Sequence, residues 1–397
     1  MAETTGARIA ALRKLRGFSQ RGLAARAHVS YSLLTKVESG HAPATPALIG
    51  AVARALKIDV PRITGQPYQE PTRQMQQLQA GIETLRRVLL TRDLPPENAP
   101  PPRPVEALRA DVEETSRLTR QARYVKLGQV LPSLLEELSI AVADDDRPEL
   151  HGLLAVAYGG VSALAHKIGY LDLRSVALDR IERESLLSGD PLRIARTKWS
   201  RGASLLAVSA YEQGLRLMEQ TRRDLGDTPE RMEPAAVSVY GSLHLRSSVL
   251  AARAGNGDLA DEHLREAARA AELLPSPAPN HYGMEFGPSN VAVHAVSAAV
   301  ELENGPLAVE RSLPLYERFP ADLPPERAGR HWIDVARGWY FYGDRHRAFE
   351  ALRRARRVSP QQARLHPMVR ELVQTIAAAE PRSNEGLRAF ASWLGLA

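Results

Sequence analysis

From residue 105 to residue 397 the apolar residues recur at helical spacing, and no stretch alternates apolar and polar positions as a half-buried strand would. A chain written this way has helices alone with which to build a core. After residue 148 the pattern is punctuated. Turn signals fall at Gly169, Ser209, Gly257, Gly305 and Gly343, and helix ends are marked by Pro191, Pro229, Pro275, Pro320 and Pro360. The prolines stand 38, 46, 45 and 40 residues apart, the length of a helix hairpin. One hairpin cannot bury its own apolar face, so successive hairpins must stack.

Residues 5–66 carry a denser pattern that predicts four or five short helices. Thr5 is read as the cap of a helix running to about Arg16, with Ile9 and Leu12 inward. Ser19 caps a second helix that buries Leu23, Ala24 and Ala27. Ser30 caps a third, which Gly40 ends. Thr45-Pro46 opens a fourth that carries Leu48, Val52 and Leu56. The third helix buries Leu34 and Val37 but sets Tyr31, Ser32, Thr35 and Lys36 on another side, a face that stability does not require.

Charge singles out the same module. Residues 1–66 hold ten Lys or Arg and three acids, for a net charge of +7, while the chain as a whole is +6. A compact basic module on a nearly neutral body points to a polyanion, with a solvated basic surface as the plain alternative.

The stretch 8–63 resembles the XRE-type helix-turn-helix of lambdoid phage repressors. The resemblance lies in Ser19-Gln20, Leu23-Ala24, the Val29-Ser30 turn, LLTKVESG and ALIGAVARALKI. It implies a recognition helix in the major groove, with the face of Tyr31, Ser32, Thr35 and Lys36 toward the DNA. Lys36 suits guanine acceptors or a phosphate, and the Tyr31 ring edge a thymine methyl. Gln20 resembles the family's phosphate-contacting glutamine, with help from the helix dipole, and Ser30, Arg21, His41 and Thr45 complete the expected DNA-binding set. Arg13 and Glu38 match a structural ion pair between the first and third helices. Two positions depart from the family. Gly22 replaces the usual capping-box acid, and His28 replaces a glycine where the backbone needs positive φ.

Residues 67–104 read as a connector, with a helix over 71–91 followed by RDLPPENAPPPRP, a semi-rigid linker that predicts a body (105–397) folding by itself. The segment 243–275 resembles a tetratricopeptide repeat. Joined to the reader, the body resembles the C-terminal sensors of actinobacterial XRE-type regulators, on the plan of the RRNPP group. The fold expected is therefore all-α, a helix-turn-helix domain followed by a right-handed tetratricopeptide-like solenoid. An effector site is expected on its concave face. Asn290, His294, Ser297 and Glu301 form a polar stripe on an Ala- and Val-rich helix. Tyr158 and Ser162 form a second stripe with His151, and Arg201, Arg246 and Arg337 add donors. A short peptide is the first ligand expected, a small organic effector the second, and a purely internal hydrogen-bond network the alternative.

Other classes of function lack residues. The absence of cysteine removes disulfides and thiolate metal sites. No apolar run has the length of a signal peptide or a membrane span, so a cytoplasmic protein without a membrane partner is expected. No histidine pair has zinc-helix spacing and no glycine loop has its lysine, so neither metal, cofactor nor catalytic residues are expected. The expectation is a sequence-specific DNA-binding regulator, homodimeric on a double-stranded operator. A tetratricopeptide adaptor with an accessory basic module is the alternative.

Overall fold

The structure is a computed structural model that describes residues 3–68, 72–91, 94, 100–226, 228–379 and 385–396. The described residues contain helices and no strand. The reader is built from α1 (Thr5–Leu15), α2 (Gln20–Ala27), α3 (Tyr31–Glu38), α4 (Pro46–Leu56) and α5 (Val60–Thr64). The first helix is capped by Thr4, one residue earlier than expected, its hydroxyl accepting from the Ala7 N–H at 3.1 Å.

Then follow α6 (Arg73–Thr91), α7 (Val105–Arg120) and α8 (Tyr124–Asp144). The helix α6 lies along α8 so closely that a Cβ added at Gly81 would stand 2.8 Å from the Gly128 carbonyl oxygen. Met75, Leu78, Ile82, Leu85, Val88 and Leu89 of α6 join the hydrophobic cluster of α7 to α10. Of the Pro-rich segment 92–104, only Leu94 and residues 100–104 are among the described residues.

The body continues as paired helices: α9 (Pro148–Ile168) with α10 (Leu171–Leu187), α11 (Pro191–Ala207) with α12 (Tyr211–Leu225), α13 (Pro234–Arg253) with α14 (Gly257–Glu272), α15 (Pro288–Glu301) with α16 (Gly305–Glu317), and α17 (Pro325–Tyr342) with α18 (Arg345–Val358). It ends in α19 (Pro360–Leu365), α20 (Pro367–Ala379) and α21 (Glu385–Trp393). Gly169, Ser209 and Gly343 turn their hairpins at positive φ, whereas Gly257 and Gly305 stand just past the turns as the first residues of α14 and α16. The prolines act differently from expectation. Pro191 and Pro360 open helices, and Pro229 opens a short 3₁₀ turn. Proline lacks the N–H that a first-turn position leaves unpaired and has the right φ, so it starts a helix as readily as it follows one.

The row of hairpins bends until its two ends meet. Tyr124 donates its hydroxyl to Gln362 at 3.3 Å, and Gln361 accepts from the Val125 N–H at 3.1 Å. Lys167 reaches Glu326 across the interior at 2.5 Å. The segment between α14 and α15 crosses the same interior. Its Tyr282 carbonyl accepts from Arg196 Nε at 2.7 Å, its Tyr282 hydroxyl donates to Asp190 at 2.8 Å, and its Glu285 pairs with Arg120.

The reader rests on this body. Residues of α1 to α5 and of α15 to α21 share one hydrophobic cluster. Arg54 donates to the Ser209 carbonyl at 3.2 Å, and Gln66 Nε2 to the carbonyls of Leu365 and Lys167 at 3.3 and 3.5 Å. The Arg370 guanidinium lies 3.8 Å from the centre of the Tyr68 ring.

Candidate DNA-binding face and helical interior

The two-helix element is fixed by local chemistry. Ser19 Oγ accepts from the Gly22 N–H at 3.0 Å and Ser30 Oγ from the Leu33 N–H at 3.1 Å, so each helix starts on its own cap. Between them His28 adopts φ 55°, a left-handed conformation that glycine takes at lower cost. Leu23, Ala24, Ala27, Leu34 and Val37 are buried beneath the turn.

Behind α3, Arg13 Nε and Nη2 donate to Glu38 at 2.7 and 2.8 Å, a bidentate pair. Burial alone would raise the Glu38 pKa, but hydrogen bonds from Arg13 and Gln20 outweigh it and hold the carboxyl below its ordinary value. This pair locks the recognition helix onto α1.

The residues assigned to DNA divide into two sets. Arg21, Tyr31, Ser32, Lys36 and His41 are exposed, and the Arg21 guanidinium lies 5.4 Å from the centre of the Tyr31 ring. The others have internal partners. Gln20 donates to Glu38 at 2.8 Å, Thr35 donates to the Tyr31 carbonyl at 2.9 Å, and the Ser30 hydroxyl serves as a cap. Thr45 is buried, its hydroxyl capping α4 at the Leu48 N–H at 3.3 Å.

The residues assigned to an effector scatter. Tyr158 and Ser162 are buried in α9. Arg201 is exposed and pairs with Glu182 and Asp179 of α10. Asn290 is 1% exposed, with its amide 3.5 Å from the Met284 carbonyl. Glu301 sits between Arg253 at 2.5 Å and Arg337 at 2.7 Å, with Arg330 at 3.8 Å. Burial would raise the Glu301 pKa, but these cations hold it well below the ordinary carboxylate range. Ser297 is half-buried on the same helix.

Two of the assigned residues do face the interior. Arg246 stacks 4.3 Å from the centre of the Trp199 ring. His294 donates Nδ1–H to the Asn290 carbonyl at 2.8 Å, which leaves Nε2 as an acceptor. Burial, then the charge of Arg327, pushes its pKa down to about 3, so the ring is neutral. Around them stand residues the sequence reading passed over: His166, Lys167, Arg174, Glu326, Arg327, Arg330 and His366. In sequence these resemble ordinary solvated charges, because only the bend of the hairpins brings α9, α10, α13, α15 and α17 together.

Residues 9–63 match the helix-turn-helix family. They form an XRE-type helix-turn-helix, a DNA-binding module, and the chain joins it to an all-α helical-repeat body. No curated protein sequence matches the chain. Among solved structures, BtubC (BKLC) from P. vanneervenii is 13% identical, over 64% of this chain and 91% of that one, with a TM-score of 0.37. PlcR of Bacillus thuringiensis, solved in complex with the peptide PapR7 and DNA, is 13% identical over 97% of this chain and all of that one, with a TM-score of 0.31. At such TM-scores neither likeness carries an argument about ligands. No described helix is long and apolar enough to cross a membrane.

Proposed function

We propose that the protein is a non-enzymatic, cytoplasmic transcription regulator that binds a specific double-stranded operator as a homodimer and responds to an effector held by its helical body. The observation that carries the reading is the exposed face of Tyr31, Ser32 and Lys36 on a helix pinned from behind by Arg13 and Glu38, with Arg21 of α2 against the Tyr31 ring. A face of that composition on a +7 module complements a major groove and its flanking phosphates. Two copies are invoked because one recognition helix reads only a short half-site.

The contacts between reader and body offer a route for regulation. Gln66 ties the end of the reader to the carbonyls of Lys167 and Leu365, which belong to opposite ends of the bent hairpin row. A ligand that alters the bend would move those two carbonyls relative to each other and so reposition the reader.

The test is selection of bound sites from genomic DNA, followed by affinity measurement on the enriched sequence at several salt concentrations. A discrete motif, with binding that weakens linearly in log salt and is lost in Lys36→Ala, is the outcome expected. Equal affinity for enriched and scrambled DNA rejects the reading.

A further inference from the structure

Among the described residues, the interior of the bent body holds cations that no carboxylate contacts directly. Glu326 is engaged by Lys167 at 2.5 Å. Glu301 is engaged by Arg253 and Arg337, and Asp334 by Arg330 and Arg337 at 3.1 and 3.2 Å. Arg196 in the same interior donates to the Tyr282 carbonyl. Arg174, Arg246 and Arg327 make no direct ion pair among the described residues, although the Glu326 charge reaches Arg327 and Arg246 at longer range. Arg174 donates Nη1 to the neutral ring of His166 at 2.5 Å and Nη2 to the Ser200 carbonyl at 3.4 Å. Arg246 lies over the face of Trp199. In all three the Nε is buried and has no hydrogen-bond partner.

These groups feel one another. Burial first, then the charges of Arg327, Arg174 and Arg330, push the Arg246 pKa down to about 9. The region is nevertheless open to water. His166 is exposed, and Trp199, Arg246, His294 and Arg327 are half-buried, although helices surround them. Enclosed guanidiniums that repel each other and touch no carboxylate cost stability. A hollow lined by them is therefore complementary to a solute that brings the missing negative charge.

We propose that this hollow binds an oxyanion-bearing effector, whose carboxylate or phosphate group is gripped by Arg174, Arg246 and Arg327. The assignment rests on the effector reading above and specifies its chemistry. A guanidinium fork matches the two oxygens of either group, which an ammonium cannot do. His294 Nε2, an acceptor beside the cluster, takes a hydrogen bond from a hydroxyl or amide of the same ligand. Bound there, the anion sits next to Lys167, whose carbonyl receives Gln66 of the reader.

The experiment uses the full chain without DNA, with pyrophosphate and citrate as probes at constant ionic strength. Binding is read by calorimetry and by tryptophan fluorescence, and stability by melting. Saturable binding with a raised Tm is expected for at least one probe, and the tighter of the two tells phosphate from carboxylate. In Arg246→Met/Arg327→Met the affinity should fall by about tenfold or more, with a melting temperature without probe equal to or above that of the parent. Should the double variant not fold, Arg246→Lys retains the charge, loses the fork and should still weaken binding. Lys36→Ala, on the DNA face, should retain full binding. The proposal is overturned by no saturable binding of either probe, by full binding in the Arg246 and Arg327 variants, or by binding lost only in Lys36→Ala. Since DNA is absent, failure here leaves the DNA-binding reading intact.

Discussion

The Ala44 N–H donates to Glu371 Oε1 at 2.7 Å, and through this bond the reader is fastened to α20, 327 residues further along the chain. Ala44 is fully buried and Glu371 nearly so. Burial raises the Glu371 pKa, against the pull of the Ala44 N–H and Arg8. Truncating the carboxylate leaves a buried N–H without a partner. Glu371→Ala should cost about 1–3 kcal/mol, read by urea denaturation, and should speed proteolysis between the reader and the body. Unchanged stability and an unchanged digest would show that the bond does not hold the reader.

Steric closeness makes a second test of the same docking. A Cβ added at Gly50 would lie 1.8 Å from Ser209 Oγ. Gly50→Leu, pointing at the body, should therefore lift the reader away without harming its own core. Small-angle scattering should show a larger radius of gyration, with helicity retained. A superimposable scattering curve would mean the two parts adjust around the added side chain.

On the DNA side, Lys36→Ala and Tyr31→Ala should each cost about 1–3 kcal/mol of specific binding while the fold persists. Arg13→Ala should behave differently. It strands Glu38 in a nearly buried site and should cost about 3–5 kcal/mol of reader stability. Circular dichroism separates the two cases, and an Arg13→Ala protein as stable as its parent would contradict the locking role given to the pair.

Glu301 is the shared counter-ion of Arg253 and Arg337. Glu301→Ala leaves both guanidiniums buried without it and should destabilise the body by about 3–5 kcal/mol. Chemical denaturation of the full chain measures this. Loss of effector response at full stability would instead return Glu301 to the effector site.

Acid should weaken the protein above the carboxylate range. Burial, aided by Arg222, lowers His244 to about 2 and His263 to about 4, and burial lowers His331 to about 4. Each binds a proton more tightly when unfolded, near its ordinary pKa of 6.5. Their contribution is therefore present above that value and lost as pH falls below it, at about 1 kcal/mol per pH unit for each buried ring. His151 works in the opposite sense. Burial would lower its pKa, but hydrogen bonds to Glu184 and Asp146 outweigh this and raise it. It supports the fold below 6.5 and loses that effect as pH rises through its raised value, so His151→Asn should steepen the acid loss. A flat stability profile between about pH 7 and pH 5 would refute the account.

Much of the architecture was legible in the residues because it is decided within a few positions of the chain. Ser19 and Ser30 cap their helices, His28 takes the left-handed turn, and Gly169, Ser209 and Gly343 turn the hairpins, each through backbone preferences that act locally. The Arg13–Glu38 pair was also anticipated, by resemblance to a family. The roles of Asn290, Glu301 and Arg337 were not legible. A polar stripe on an apolar helix reads the same whether it meets a ligand or three arginines from other hairpins. That choice is made by the bend of the hairpin row, which sums small rotations along the body and joins Tyr124 to Gln362 and Lys167 to Glu326. Helical periodicity fixes which side of each helix is apolar. Which charges find partners inside, and which arginines touch no carboxylate, is decided only when distant helices close around them.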